Sequence, residues 1–174
     1  MLKTSRITMK ELSELSGYSV STVSKALNGK QDISPDATEY IKSLAKKFNY
    51  VPNKFALALR GIKTKSVAVV IPEVTLNHYS KMLYHLQEIA EIKGYRVILF
   101  QTFHNEKKQY KCINSLNDGS IDGVFLISDT SKENSDLRLK NTPLIQLGVN
   151  QFNTDKEIKE LSSSGFSKFL KLDC

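Results

Sequence analysis

The sequence predicts two architectures in succession: a small all-α domain, then an α/β domain built on a doubly wound parallel sheet. Three observations carry this. Apolar residues recur at spacings of three and four up to about residue 50. From Ser66 onward, short continuous apolar runs alternate with amphipathic stretches. All the excess positive charge lies in residues 1–65, which hold 12 Lys/Arg against 5 Asp/Glu, whereas residues 66–174 hold 13 of each.

The N-terminal elements follow from local chemistry. Thr8 caps a first helix, and Glu11 three residues later completes a capping box. Leu12 and Leu15 give this helix an apolar side, and Gly17 sits where a helix C-terminus needs positive φ. Ser19 caps a second helix that carries Val20, Val23 and Leu27. Small Ser13 lets the two helices approach. Two short helices joined by a tight turn form a helix-turn-helix, whose second helix enters a DNA major groove. A third helix starts at Ser34-Pro35, a cap followed by proline at the first helical position. It carries Ile41, Leu44, Ala45 and Phe48, and Asn49 ends it. The expected core is Leu12, Val23, Leu27, Ile41, Leu44 and Phe48. A core this small stabilises only marginally. Lys54–Arg60 has good helix formers over less than two turns, a conditional helix. Gly61–Lys65 is a basic linker.

The second half reads as β-α alternation. Val67–Ile71 is a buried parallel strand ended by Pro72. Tyr79–Lys93 is a helix with Met82, Leu83, Leu86, Ile89 and Ala90 on its apolar face and Gly94 as its stop. Arg96–Phe100 is the second strand, Glu106–Leu116 a helix, Asp118-Gly119 a turn and Asp122–Ser128 the third strand. A short helix at 136–140 and a fourth strand at Pro143–Leu147 follow. Beyond Asn150 the rhythm fails: Lys156–Leu161 makes a helical turn, Ser162-Ser-Ser-Gly165 interrupts it, and the remainder packs loosely or is disordered. The expected domains are 1–52 (helix-turn-helix), 53–65 (hinge helix and linker), 66–150 (α/β subdomain) and 151–174 (divergent tail).

Several function classes are set aside. No apolar run is long enough to cross a membrane, and the N-terminus lacks a signal-peptide core. Cys112 and Cys174 have no metal-type spacing, which fits reduced thiols in a cytoplasm; Cys112 reads as a buried small side chain in a helix. His78 and His85, seven apart without nearby ligand partners, read as surface or interface residues. Asp122-Gly123 is a turn into a strand, not a catalytic acid. No phosphate loop and no nucleophile-base arrangement is legible. Neither an enzyme nor a cofactor or metal site is expected. A segregated basic charge is the footprint of a polyanion binder.

The order of elements resembles the LacI/GalR family of bacterial transcription regulators, the lactose repressor and purine repressor type. The residues that carry the resemblance are Thr8-Met-Lys-Glu-Leu12, Gly17-Tyr-Ser-Val-Ser-Thr-Val-Ser-Lys-Ala-Leu-Asn-Gly29, Ile33-Ser-Pro35, Asn49-Tyr-Val-Pro-Asn53 and Ala56-Leu-Ala-Leu-Arg60. The match runs from about Ile7 to Asn150. It implies base reading by Val20, Ser21 and Lys25, and backbone contacts by Thr8, Ser19, Thr22, Ser24 and Asn28. It implies a hinge that pairs across a dimer and enters the minor groove, with Leu59 as wedge and Asn53, Ala56 and Arg60 beside it. The fold implied for residues 66–150 is the first, periplasmic-binding-protein-like subdomain of an effector-binding core. The partners implied are double-stranded operator DNA and a second copy of the chain, in the bacterial cytoplasm at the nucleoid.

The chain also departs from the family. Leu57 stands at a hinge position often held by arginine, and Ala37 where threonine is common. Gly148 stands where many relatives carry an acidic residue facing the effector, which weakens an effector assignment. Relatives need nearly twice this many residues to close a small molecule such as a sugar between two subdomains; here the cleft has one wall. The length fits a truncated or frame-shifted reading frame, a cropped chain or a natural short regulator, and the unpatterned tail favours truncation. The leading reading is therefore a sequence-specific, repressive DNA-binding regulator acting as a dimer on an approximately palindromic site. One alternative is a truncated, non-regulating or dominant-negative form that dimerises with a full-length relative through the helix at Tyr79–Lys93. The other is a sugar-binding α/β module with its wall at Glu73–Tyr79 and Asp129.

Overall fold

The computed structural model describes residues 7–52, 63–129, 137, 139–140 and 142–173. The chain divides into two compact units, 1–53 and 54–174.

Among the described residues the first unit has three helices: α1 (Met9–Ser16), α2 (Val20–Leu27) and α3 (Pro35–Lys47). Each begins on a hydroxyl cap, Thr8, Ser19 and Ser34, whose oxygen accepts a backbone N–H of the first turn. Thr8 and Glu11 form the reciprocal box: the Thr8 N–H donates to Glu11 Oε2 at 2.7 Å and the Glu11 N–H to Thr8 Oγ1 at 3.2 Å. Gly17 closes α1 at φ 72°, a left-handed backbone that a Cβ would strain. Ser13 does more than yield space, since its hydroxyl donates to the Tyr18 carbonyl at 2.6 Å and fixes the turn.

The core of this unit is Leu12, Val23, Ala26, Ile41 and Ala45, with Leu27, Leu44 and Tyr50 packed partly against it. One expected member, Phe48, lies outside it at 40% exposed, and Leu15, on the apolar side of α1, is 48% exposed. Phe48 caps the C-terminus of α3, where the chain turns through Asn49 at φ 49°, so its ring leaves the helix face. Leu15 lies with Ile7, Glu11, Glu14 and Phe48 along a shallow surface groove. Tyr50 and Ala26 take the inward places instead.

Among the described residues the second unit holds a four-stranded, all-parallel sheet in the order β2-β1-β3-β4. Its elements are β1 (Ser66–Ile71), α4 (Asn77–Ile92), β2 (Arg96–Gln101), α5 (Glu106–Ser115), β3 (Gly123–Ser128), β4 (Leu144–Gly148) and α6 (Asp155–Leu172). β1 is buried along its whole length, which explains its unbroken apolar run. Val67, Val69 and Ile71 face α4 and α6; Ala68 and Val70 face Ile113 and Leu116 at the end of α5. The start of β1 is held by Asp122, whose carboxylate accepts Thr64 N–H, Thr64 Oγ1–H and Lys65 N–H at 2.8, 2.9 and 2.9 Å. The expected short helix at 136–140 is not seen at its described residues: 137, 139 and 140 are not helical.

The expected loose tail is the main correction. Residues 155–172 are one 18-residue helix. It starts at a second capping box, Thr154 with Glu157, built like the first. Ile158, Ser162, Gly165, Phe166 and Phe169 form its buried stripe. The Ser-Gly run is therefore packing rather than interruption. The Ser162 hydroxyl donates back to the Ile158 carbonyl at 2.8 Å. A Cβ on Gly165 would lie 2.9 Å from Leu147 Cδ2, so glycine leaves room for the Leu147 side chain between the helix and β4. Phe166 stacks on Phe125 at 5.4 Å between centroids, and Phe169 meets Phe166 edge-on at 5.5 Å. The far end is tied down as well: Asp173 Oδ2 accepts the Tyr95 hydroxyl and Lys63 Nζ, both at 2.8 Å.

The histidines are corrected too. His85 is 6% exposed because it shares the inner face of α4 with Met82 and Leu86. Its Nε2 lies 3.5 Å from Asp155 Oδ1 on α6. The His78 side chain is 10% exposed, with Nε2 3.5 Å from Asp129 Oδ1. Cys112 is half-buried, and burial pushes its thiol up from its ordinary value. Cys174 lies outside the described residues. No described helix is long and apolar enough to cross a membrane.

Candidate nucleic-acid interface

The exposed side of α2 carries the residues expected to meet bases. Ser21 and Lys25 are exposed and Val20 is half-buried. Spacings of one and four place them on the outer side, opposite buried Val23 and Ala26. Lys25 Nζ donates to Asp32 Oδ2, in the turn between α2 and α3. This ion pair is solvent-exposed on both sides, 47% and 53%. The lysine hydrogen bond holds the Asp32 carboxyl below its ordinary value, with smaller coulombic help from Lys25 and Lys30.

The expected backbone-contact residues are distributed around the same helix-turn-helix. Thr8, Ser19 and Asn28 are exposed; Thr22 and Ser24 are half-buried. Most of their polar groups already serve the fold. Thr8 Oγ1 donates to Glu11 Oε2 at 2.9 Å, and Ser19 Oγ and Thr22 Oγ1 are 2.9 Å apart. Asn28 Nδ2 donates to the Ser24 carbonyl at 2.8 Å. Six described lysines of this unit are exposed: Lys10, Lys25, Lys30, Lys42, Lys46 and Lys47.

These features meet in known proteins. The model of the family described as "Bacterial regulatory proteins, lacI family" matches residues 8–53. Those residues are a LacI-family helix-turn-helix domain. Beyond that LacI-family domain the likeness continues. Over 146 residues the chain is 30% identical to catabolite control protein A of Staphylococcus xylosus, spanning 83% of this chain and 44% of that protein. The corresponding protein of Staphylococcus epidermidis is 28% identical over 127 residues, spanning 73% and 39%. The chain thus spans less than half the length of these relatives. A LacI-family transcriptional regulator from Silicibacter pomeroyi superposes with a TM-score of 0.66 at 26% identity, over 81% of this chain and 43% of that one. The lac repressor dimer bound to operator and the anti-inducer ONPF superposes with a TM-score of 0.73 over 97% of this chain and 63% of that one. At 16% identity the latter is a likeness of fold. The parallel sheet matches the periplasmic-binding-protein-like fold of LacI-family regulators.

The expected hinge residues Asn53, Ala56, Leu59 and Arg60 lie outside the described residues, as does Leu57. Sequence reasoning did not single out Asp32. Its link to Lys25 runs across the turn after α2, so the pairing follows from the path of the chain and not from the periodicity of one element.

A second group lies at the C-terminal ends of the strands, where the order turns from β2 to β3 around β1. The Tyr79 hydroxyl donates to Asp129 Oδ1. Burial, then the Asp129 hydrogen bond, pushes the phenol up from its ordinary value. His104 Nε2 is 3.3 Å from Glu73 Oε1. Phe103 and His104 sit at φ 55° and 54°, unusual for side chains of their size. Among the described residues no group of three or more His, Cys, Asp or Glu is placed to hold a metal.

Proposed function

We propose that this chain is a DNA-binding transcription regulator, a repressor that binds an approximately palindromic operator as a dimer. It acts by binding and not by catalysis, in the cytoplasm at the nucleoid. The observation that carries the reading is α2: a short capped helix presenting Val20, Ser21 and Lys25 outward, within the stretch 1–65 that holds all the excess positive charge. Lys25 donates to guanine O6 or N7, while Thr8, Ser19, Thr22, Ser24 and Asn28 take the phosphates and fix register. The hinge residues Asn53, Ala56, Leu59 and Arg60 enter the minor groove, with Leu59 as the wedge.

The test is sedimentation of the full chain with a pool of short palindromic duplexes at two salt concentrations. The reading expects a dimer whose affinity falls by roughly three orders of magnitude between 50 and 200 mM salt, as for about six neutralised phosphates. A chain that stays off every duplex at low salt overturns it.

The Tyr79–Asp129 pair with His78, Glu73 and His104 favours a second activity, binding of a polar small molecule such as a sugar at the strand ends. Calorimetry of the full chain with common sugars and nucleobases tests it; heat that disappears in Tyr79→Phe supports it, and no heat counts against it.

A further inference from the structure

Lys25 is a compact cation on a flexible four-carbon stem, able to bind any phosphate as readily as a guanine edge. Two features of Asp32 change that. Its carboxylate accepts a hydrogen bond from Lys25 Nζ, which fixes where the ammonium stands outside α2. It also places a negative charge beside the two cations Lys25 and Lys30, in the turn that leads to the cap of α3 at Ser34. The pair is exposed on both sides, so the bond does not serve burial or core packing.

We infer that Asp32 is a specificity-determining residue that positions Lys25 and suppresses its indiscriminate attraction to phosphate. Lys25 is a donor of three protons with no acceptor. One is committed to Asp32, and the remaining two are held toward a fixed direction. A site offering guanine O6 and N7 there uses them without displacing the carboxylate. A site offering only phosphate must bring its charge against Asp32. The residue therefore lowers affinity for every duplex and lowers it least for the correct one. It is a positioning residue, acting through Lys25, and its role rests on the DNA-binding reading above.

Its signature is coupling to Lys25. The full-length wild type, Asp32→Asn, Lys25→Ala and the double variant are titrated against a duplex selected by the wild type from a random pool and against an unrelated duplex. Asp32→Asn is close to isosteric at an exposed position, and thermal melting checks that each variant is folded. Asp32→Asn is expected to tighten the unrelated duplex by about 2- to 5-fold, the scale of one exposed ion pair, and the selected duplex less, so that discrimination falls. In the Lys25→Ala background the same substitution should leave discrimination unchanged. Equal tightening on both duplexes, with or without Lys25, would reduce Asp32 to a through-space charge and overturn the inference, as would no change at all. A wild type that binds no duplex overturns the DNA-binding reading itself, and this inference with it.

Discussion

The two units stabilise themselves by different means. The helical unit buries five apolar residues in one small cluster, two of them alanines, and relies on three hydroxyl caps, a capping box and a left-handed glycine. The α/β unit buries two layers, one of which alone gathers sixteen residues around the aromatic group of Phe125, Phe166 and Phe169. Local chemistry shapes the first and close packing the second.

Phe169→Ala should show the packing side most strongly. Deleting a fully buried ring that touches Phe125, Phe166 and Tyr95 should cost about 3–5 kcal/mol, read by urea unfolding followed by far-UV circular dichroism. A loss under 1 kcal/mol would mean that α6 is not the cover of this sheet. Leu12→Ala comes next, at about 2–5 kcal/mol. A unit this small holds only about 3–5 kcal/mol from its core, so the helical unit alone should unfold while the α/β transition stays in place. A single shared transition would abolish the distinction between the units. Gly123→Ala should cost about 1–3 kcal/mol, since its Cβ would stand 2.4 Å from Phe169 Cε2 inside the core.

Caps give the smaller effects. Thr8→Ala should cost about 1 kcal/mol, and a matching Thr154→Ala should cost as much while weakening only the α/β unit. The Glu11 carboxyl is held below its ordinary 4.5 by the Thr8 N–H, then by the Thr8 hydroxyl. A depressed folded-state pKa stabilises above the unfolded value and is lost as pH falls through the folded one. The stability gap between wild type and Glu11→Gln should therefore be full at pH 7 and close below pH 4.5, in melts of the helical unit. A gap that stays constant in acid would remove the charge from the cap.

Legibility in the sequence followed the same division. The helical unit could be read almost residue by residue, because Thr8-x-x-Glu11, Gly17, Ser19 and Ser34-Pro35 act on their immediate neighbours. The strands of the α/β unit were legible as apolar runs. Its last helix was missed although Thr154-x-x-Glu157 repeats the signal seen at Thr8. Ser162-Ser-Ser-Gly165 reads as a breaker by propensity, and only the approach of Leu147 and the inward turn of Phe166 and Phe169 show that packing overrides it. His85 was misplaced for the same reason, its burial being set by α6. At the candidate interface, the outward residues of α2 followed from helical spacing, whereas the Asp32–Lys25 pair depends on the path of a turn.

The most direct test of base reading by α2 is the binding of wild type and Lys25→Ala to a duplex library that varies every base of the selected site. A guanine reader predicts that Lys25→Ala flattens the preference at one position of each half-site, by about 1–3 kcal/mol, and leaves the other positions as they were. A uniform loss across all sequences would make Lys25 a phosphate contact and contradict the account.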